Sequence, residues 1–150
     1  MFKRKITSEI EIRLSLPSYV EAIFAVIEEN REFLRQWLPW LDGTKSANDT
    51  RDFIRAQLHQ FARGEALHVT IFSNGSVAGV AGFNQIDQTN GIGYTGYWLA
   101  EKFNGKGIMT RVVSDLIVIA RDELHLQKAD ICCATENKKS RSIPERLRFS

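Results

Sequence analysis

The chain has 150 residues, 43% of them hydrophobic and 25% charged, with a formal net charge of +2. That composition fits one ordinary globular domain over residues 1–150, long enough for a real core and too short for two. No apolar run approaches the roughly 20 residues that span a bilayer, and polar Thr7, Ser8 and Glu9 stand where a secretion signal needs its apolar centre, so a cytoplasmic protein is expected.

In chain order, residues 10–16 alternate Ile10, Ile12, Leu14 and Leu16 with polar partners, a half-buried strand that Pro17 ends. Ser18 and Glu21 have capping-box spacing, and Ile23, Phe24 and Ile27 carry a helix on to Glu29. Residues 30–41 hold Phe33, Leu34, Trp37, Leu38 and Trp40 at the period of a short helix broken by Pro39. After a loop over 42–48, Asp49 or Thr50 can cap a second helix with Phe53, Ile54, Leu58 and Phe61 on one side, closed by Gly64.

Strands follow. Leu67, Val69 and Ile71 alternate, Asn74-Gly75 signals a type I′ hairpin, and residues 77–83 return. Gly79 and Gly82 weaken that strand unless something packs closely against it. Residues 87–93 read as a turn and 94–100 as a strand. A helix over 108–124 follows through Val112, Val113, Leu116, Ile117 and Ala120, then a buried strand over 128–135 and a final helix from Ser140. Cys132 and Cys133 are neighbours in that strand and point to opposite faces, which suits reduced, buried thiols better than a bridge or a metal pair. The order β-α-α-β-β-β-α-β-α is an α/β fold with a mixed, mostly antiparallel sheet flanked by helices. Three antiparallel strands feed one crossover helix that returns a parallel strand.

The stretch Glu101-Lys102-Phe103-Asn104-Gly105-Lys106-Gly107-Ile108-Met109-Thr110 joins a strand to a helix N-terminus. A glycine loop there makes an anion site, because the first helix N–H groups point outward and no Cβ holds a phosphate away. Two glycines also suit a plain tight turn. A dinucleotide fingerprint would need Gly at Thr110, and Gly-Lys-Gly is not a P-loop. From residue 101 onward there are ten Lys/Arg against seven Asp/Glu, and before it ten against eleven, so the basic excess lies with the loop. No Ser or Cys sits in a nucleophile elbow, His59, His68 and His125 lie on separate elements, and no cluster has metal-ligand spacing. What remains is binding and orientation, with no metal.

Three segments in order resemble one family. Lys102-Phe103-Asn104-Gly105-Lys106-Gly107 resembles the acetyl-CoA loop of the GNAT N-acetyltransferases, Q/R-x-x-G-x-G/A, with Lys for the usual Gln or Arg. The run Asn137 to Leu147 resembles the N-x-x-S-x-x-x-x-x-x-L segment of the RimL-like, ribosomal-protein-type branch, and Leu34-Arg35-Gln36-Trp37-Leu38-Pro39-Trp40 resembles its N-terminal region. The resemblance implies a GNAT-like acyl-CoA N-acyltransferase fold. It implies acetyl-CoA as co-substrate and direct attack of an acceptor amine on its thioester in a ternary complex. The cofactor would be held by Phe103, Asn104, Gly105, Lys106, Gly107, Ile108 and Met109, with Asn137 on the pantetheine arm and Arg141 on phosphate. The Leu99 N–H would meet the thioester carbonyl, and Ser140, otherwise an ordinary helix cap, would protonate the leaving thiolate. Trp40 and Tyr94 would border the acceptor pocket, Tyr94 standing where relatives often carry Glu; the general base is not identified, and Asn84, set with the substrate-binding residues, is the candidate to orient a water chain in its place.

The implied acceptor is a ribosomal-protein N-terminus or a small-molecule amine, with no direct nucleic-acid or membrane partner. A non-catalytic acyl-CoA-binding or interaction protein of the same fold is the alternative, and a nucleotide-binding regulator a third. Relatives usually read Leu-Gly-Phe and continue into two more strands where this chain has Leu147-Arg148-Phe149 and then Ser150. The resemblance therefore implies a C-terminally shortened form whose strand at 128–135 presents an open edge, and a homo-oligomer is expected.

Overall fold

A computed structural model describes residues 3–36, 38 and 41–131 of the chain. Strands β1 (Lys3–Lys5), β2 (Ile10–Leu14), β3 (Leu67–Ser73), β4 (Ser76–Asp87), β5 (Ile92–Leu99) and β6 (Lys128–Ile131) form one sheet in that order. Neighbours are antiparallel except β5 and β6, which run parallel. Helices α1 (Val20–Glu29), α2 (Arg31–Arg35) and α3 (Ala47–Ala62) connect β2 to β3, and α4 (Ile108–Asp122) connects β5 to β6. The mixed sheet, the crossover helix and the parallel return are those expected from the pattern.

Two cores sandwich the sheet. Behind it, α4 buries Ile108, Met109, Val112, Val113, Leu116, Ile119 and Ala120 against Leu67, Val69, Ile71, Phe83 and Leu99. Each large side chain so buried contributes on the order of 1.5–3 kcal/mol, which makes α4 the firmly held helix. In front, Val20, Ile23, Ile27, Leu34, Leu41 and Ile54 pack on Phe72, Val77, Val80 and Trp98. β3 is consequently covered on both faces, with Leu67 through Phe72 all buried.

Local readings at the hairpin hold. Asn74 and Gly75 both take positive φ, 50° and 83°, as a type I′ turn requires. Gly79 earns its place: a Cβ there would collide with the Trp98 carbonyl of β5. The expected first cap does not form. Tyr19, without a side-chain bond, stands at the start of α1, because Pro17–Tyr19 already form a 3-10 turn that carries Ser18 past the cap position. The capping box is instead Ser46 with Asp49, three residues before the expected cap of α3. α3 turns Thr50, Ile54 and Gln57 to the core and leaves Phe53 and Phe61 exposed, a rotation from the expected face.

β1 was not expected from its basic sequence. It is held by register with β2 and by Arg4, whose guanidinium grips Asp115 of α4 at 2.7 and 2.8 Å and reaches Glu123 at 3.2 Å. The carboxylate raises the Arg4 pKa further, so this clamp stays charged at any ordinary pH.

Beneath α3 lies a polar layer. Ser15 Oγ sits 2.6 Å from His68 Nδ1 and 2.8 Å from Thr70 Oγ1, all three residues buried, and the Phe53 ring meets His68 edge-on at 5.3 Å. Burial lowers the His68 pKa from 6.5 to about 4. Unfolded His binds a proton below pH 6.5 that the folded chain refuses until about pH 4. The imidazole's contribution is therefore intact above pH 6.5 and lost as pH falls to 4, to the extent of roughly 3 kcal/mol. His68→Gln should flatten the acid-side fall in denaturation midpoint across that window; an unchanged fall would assign the loss to carboxylates instead.

Candidate active site

The site starts at the C-terminal end of β5. The Ala100 N–H donates to the Ala78 carbonyl of β4 at 2.8 Å. Antiparallel alternation then turns Trp98 toward β4 and the Leu99 N–H away from it. On that outer side β6 pairs only with the start of β5, from Ile92 opposite Lys128 to Thr95 opposite Ile131. The Leu99 N–H therefore lies beyond the last described rung, on the side where a ligand could enter between the two strands. The Leu99 side chain is buried in the rear core and fixes the direction of that donor.

A 3-10 turn over Glu101–Phe103 follows, and two ties hold it. Asn30, at the end of α1, accepts the Glu101 N–H at 3.0 Å through Oδ1. Asn104 reaches back from the loop, its amide lying 3.2 Å from the Ala100 carbonyl and 3.4 Å from that of Leu99. Phe103 is half-buried against the rear core, with the Lys102 ammonium 5.3 Å from its ring centroid. Asn104 was expected as part of a loop motif; its work in the fold is to bind that loop to the strand. Asn30 was not singled out, and nothing local in its sequence marks it.

Gly105 and Gly107 have φ of +80° and +75°, the left-handed region that favours glycine. Nothing lies within 4 Å of a Cβ built on either, so both are required by backbone shape and leave the loop open to a ligand. Gly107 caps α4 without any side-chain partner, and the first turn contains no acid. Ile108 and Met109 are buried and anchor this turn, while Lys102, Lys106 and Arg111 are exposed around it. An uncapped terminus of a 15-residue helix, bordered by cations and free of carboxylates in its first turn, fits a phosphate-bearing ligand.

Asn84 and Tyr94 lie near each other on the front of β4 and β5, where Tyr94 is half-buried and Asn84 exposed. The other expected site residues, Trp40, Asn137, Ser140 and Arg141, lie outside the described residues, as do Cys132 and Cys133. A groove of about 750 Å³ runs beside the loop between α1, the β3–β4 hairpin and Ala100–Phe103. The α4 terminus does not line it, so the loop and strand end define the site rather than this groove. Among the described residues no group of His, Cys, Asp or Glu is placed to hold a metal, and no helix is long and apolar enough to cross a membrane.

Residues 10–150 match the acetyltransferase (GNAT) domain family. The chain is 35% identical over 150 residues to YdaF of Bacillus subtilis (strain 168), a protein of ribosomal N-acetyltransferase type, covering 99% of this chain and 82% of that one. It superposes with a TM-score of 0.89 on a RimL ribosomal L7/L12 alpha-N-protein acetyltransferase in complex with coenzyme A, at 31% identity over 95% of this chain and 80% of that one. The microcin C7 self-immunity acetyltransferase MccE, solved with acetyl-CoA and AMP, gives 0.89 at 30% identity over 95% and 79%.

Proposed function

This chain belongs to the GNAT acetyltransferase family, and we propose that it acetylates the N-terminal amine of a ribosomal protein. It is an acetyl-CoA-dependent N-acetyltransferase of the RimL-like type, with acetyl-CoA as co-substrate and a primary amine as acceptor. The observation that carries the reading of the site is the uncapped, acid-free N-terminus of α4 behind two left-handed glycines, next to an outward-facing N–H at Leu99.

In this reading the backbone from Gly105 to Met109 holds the pyrophosphate, with Lys106 supplying charge, and Phe103 and Asn104 fix the loop that presents it. Asn137 holds the pantetheine arm and Arg141 a phosphate. The Leu99 N–H donates to the thioester oxygen as negative charge develops there, the circumstance in which a fixed donor acts most strongly. The acceptor nitrogen forms its bond to the acetyl carbon directly, the sulfur leaves, and Ser140 supplies the proton it takes up. Trp40, Asn84 and Tyr94 border the acceptor. The relatives' ribosomal substrates favour a cytoplasmic setting, and a second copy along the outer edge of β6 would give the expected homo-oligomer, a dimer mass in light scattering.

The test is acetylation of a panel of ribosomal-protein N-terminal peptides, spermine and aminoglycosides, scored with coenzyme A binding. Transfer to a peptide N-terminus supports the proposal. Tight coenzyme A binding without transfer to any amine would leave a non-catalytic binder, and transfer to spermine alone would change the acceptor.

A further inference from the structure

Among the described residues, the front of the sheet is open around Asn84, Gln85 and Gly96, a few residues before the strand end at Leu99. Behind it α4 packs over Leu99, Ala81 and Phe83. In front, the helices and their connections cover Trp98 and Val80 but leave Asn84 and Gln85 exposed and Gly96 half-buried. The register sets Gly82 of β4 beside Gly96 of β5, a patch of sheet with no side chains.

One side chain is placed on this patch. β4 shifts register between Phe83, opposite Thr95, and Gln85, opposite Tyr94, so Asn84 is a bulged residue without a partner on β5. Its carboxamide lies against Gly96, so closely that a Cβ at position 96 would collide with Nδ2. Alternation along β5 puts Gly96 on the same face as Trp98. A bulge aims the amide and a bare glycine seats it, and among the described residues it makes no hydrogen bond. A carboxamide so held offers one donor edge and one acceptor, the complement of a peptide unit.

We propose that Asn84 is a specificity-determining residue that binds the backbone of an extended acceptor, two or three residues in from the amine that is acetylated. The inference rests on the reading of this chain as an acetyltransferase of protein N-termini. Gly96 stands three residues before Leu99, roughly 10 Å along the strand at about 3.3 Å per residue. An extended peptide rises by nearly the same amount per residue. An amine at the Leu99 end therefore leaves the peptide unit after its second or third residue at Asn84, and a single amino acid falls short.

The experiment compares a tetrapeptide amide with the amide of its first residue alone as acceptors, alongside coenzyme A affinity. Asn84→Ala should lower kcat/KM for the tetrapeptide about tenfold more than for the short acceptor, the size expected for one backbone-directed hydrogen bond. Gly96→Ala should do the same by displacing the amide, and the double variant should be no worse than either single one. Coenzyme A affinity should be unaffected in all three. Equal losses for both acceptors, or losses that add in the double variant, would overturn the role of Asn84. A wild-type protein that binds coenzyme A but acetylates neither acceptor would overturn the underlying functional reading instead.

Discussion

Gly107→Val should abolish coenzyme A binding, raising Kd by about 100-fold or more, equivalent to roughly 2.8 kcal/mol at 1.4 kcal/mol per tenfold. Two effects converge. Gly107 sits at φ +75°, where a β-branched residue is strongly disfavoured, so the loop would have to change shape. The new side chain would also stand in space that is empty in the free protein and that a phosphate would occupy. The fold should survive, because Gly107 is exposed and the anchors of α4 lie on its inner face at Ile108, Met109 and Val112. Gly107→Asn separates the two effects, since Asn tolerates left-handed backbone far better. Thermal denaturation should find Asn recovering whatever stability Val costs, while isothermal titration finds affinity still low. Full affinity in the Val variant would remove the loop from the binding site.

The features legible in the sequence were those in which one short stretch carries its own physics. Asn74-Gly75 specifies its turn by the φ each residue tolerates, and the apolar period from Ile108 to Ala120 specifies the buried face of α4. Gly105 and Gly107 were legible as a loop, though both glycines answer to backbone shape as well as to a ligand. Cap spacing alone did not show which caps form. Ser18-x-x-Glu21 and Ser46-x-x-Asp49 both have cap spacing, and only the path of the chain after Pro17 excludes the first. Phe53 was expected on the inner side of α3 with Ile54, yet it is exposed while Gln57 is buried, since burial follows the orientation of α3 and not side-chain type alone. Long-range partners were not legible. The grip of Arg4 on Asp115 spans 111 positions, and the seat that Gly96 provides for Asn84 exists only through a bulge in the neighbouring strand.

Leu99→Pro should reduce kcat by 10²- to 10³-fold with little change in coenzyme A affinity, the loss expected when one fixed donor to a developing oxyanion is removed. Proline is suited to this test because it deletes an N–H and fixes φ near a value that strands accept. At Leu99 the deleted N–H faces away from β4, so no rung of the β4–β5 ladder is broken; at Trp98, whose N–H faces β4, the same substitution would break one. The cost that remains is packing, because the Leu99 side chain is buried in the rear core. Leu99→Ala supplies that control, losing the side chain while keeping the donor. Stability should fall by about 2–5 kcal/mol in the Ala variant, with kcat nearly retained in the folded fraction. Single-turnover kinetics at saturating acetyl-CoA separate the outcomes. A kcat that falls equally in both variants would make Leu99 a packing residue only. A kcat that falls in the Pro variant alone identifies the strand's last N–H as the group that stabilises charge on the reacting carbonyl. Binding and turnover would then be divided between two adjacent pieces of backbone, with the α4 terminus holding the phosphates and the end of β5 acting on the thioester.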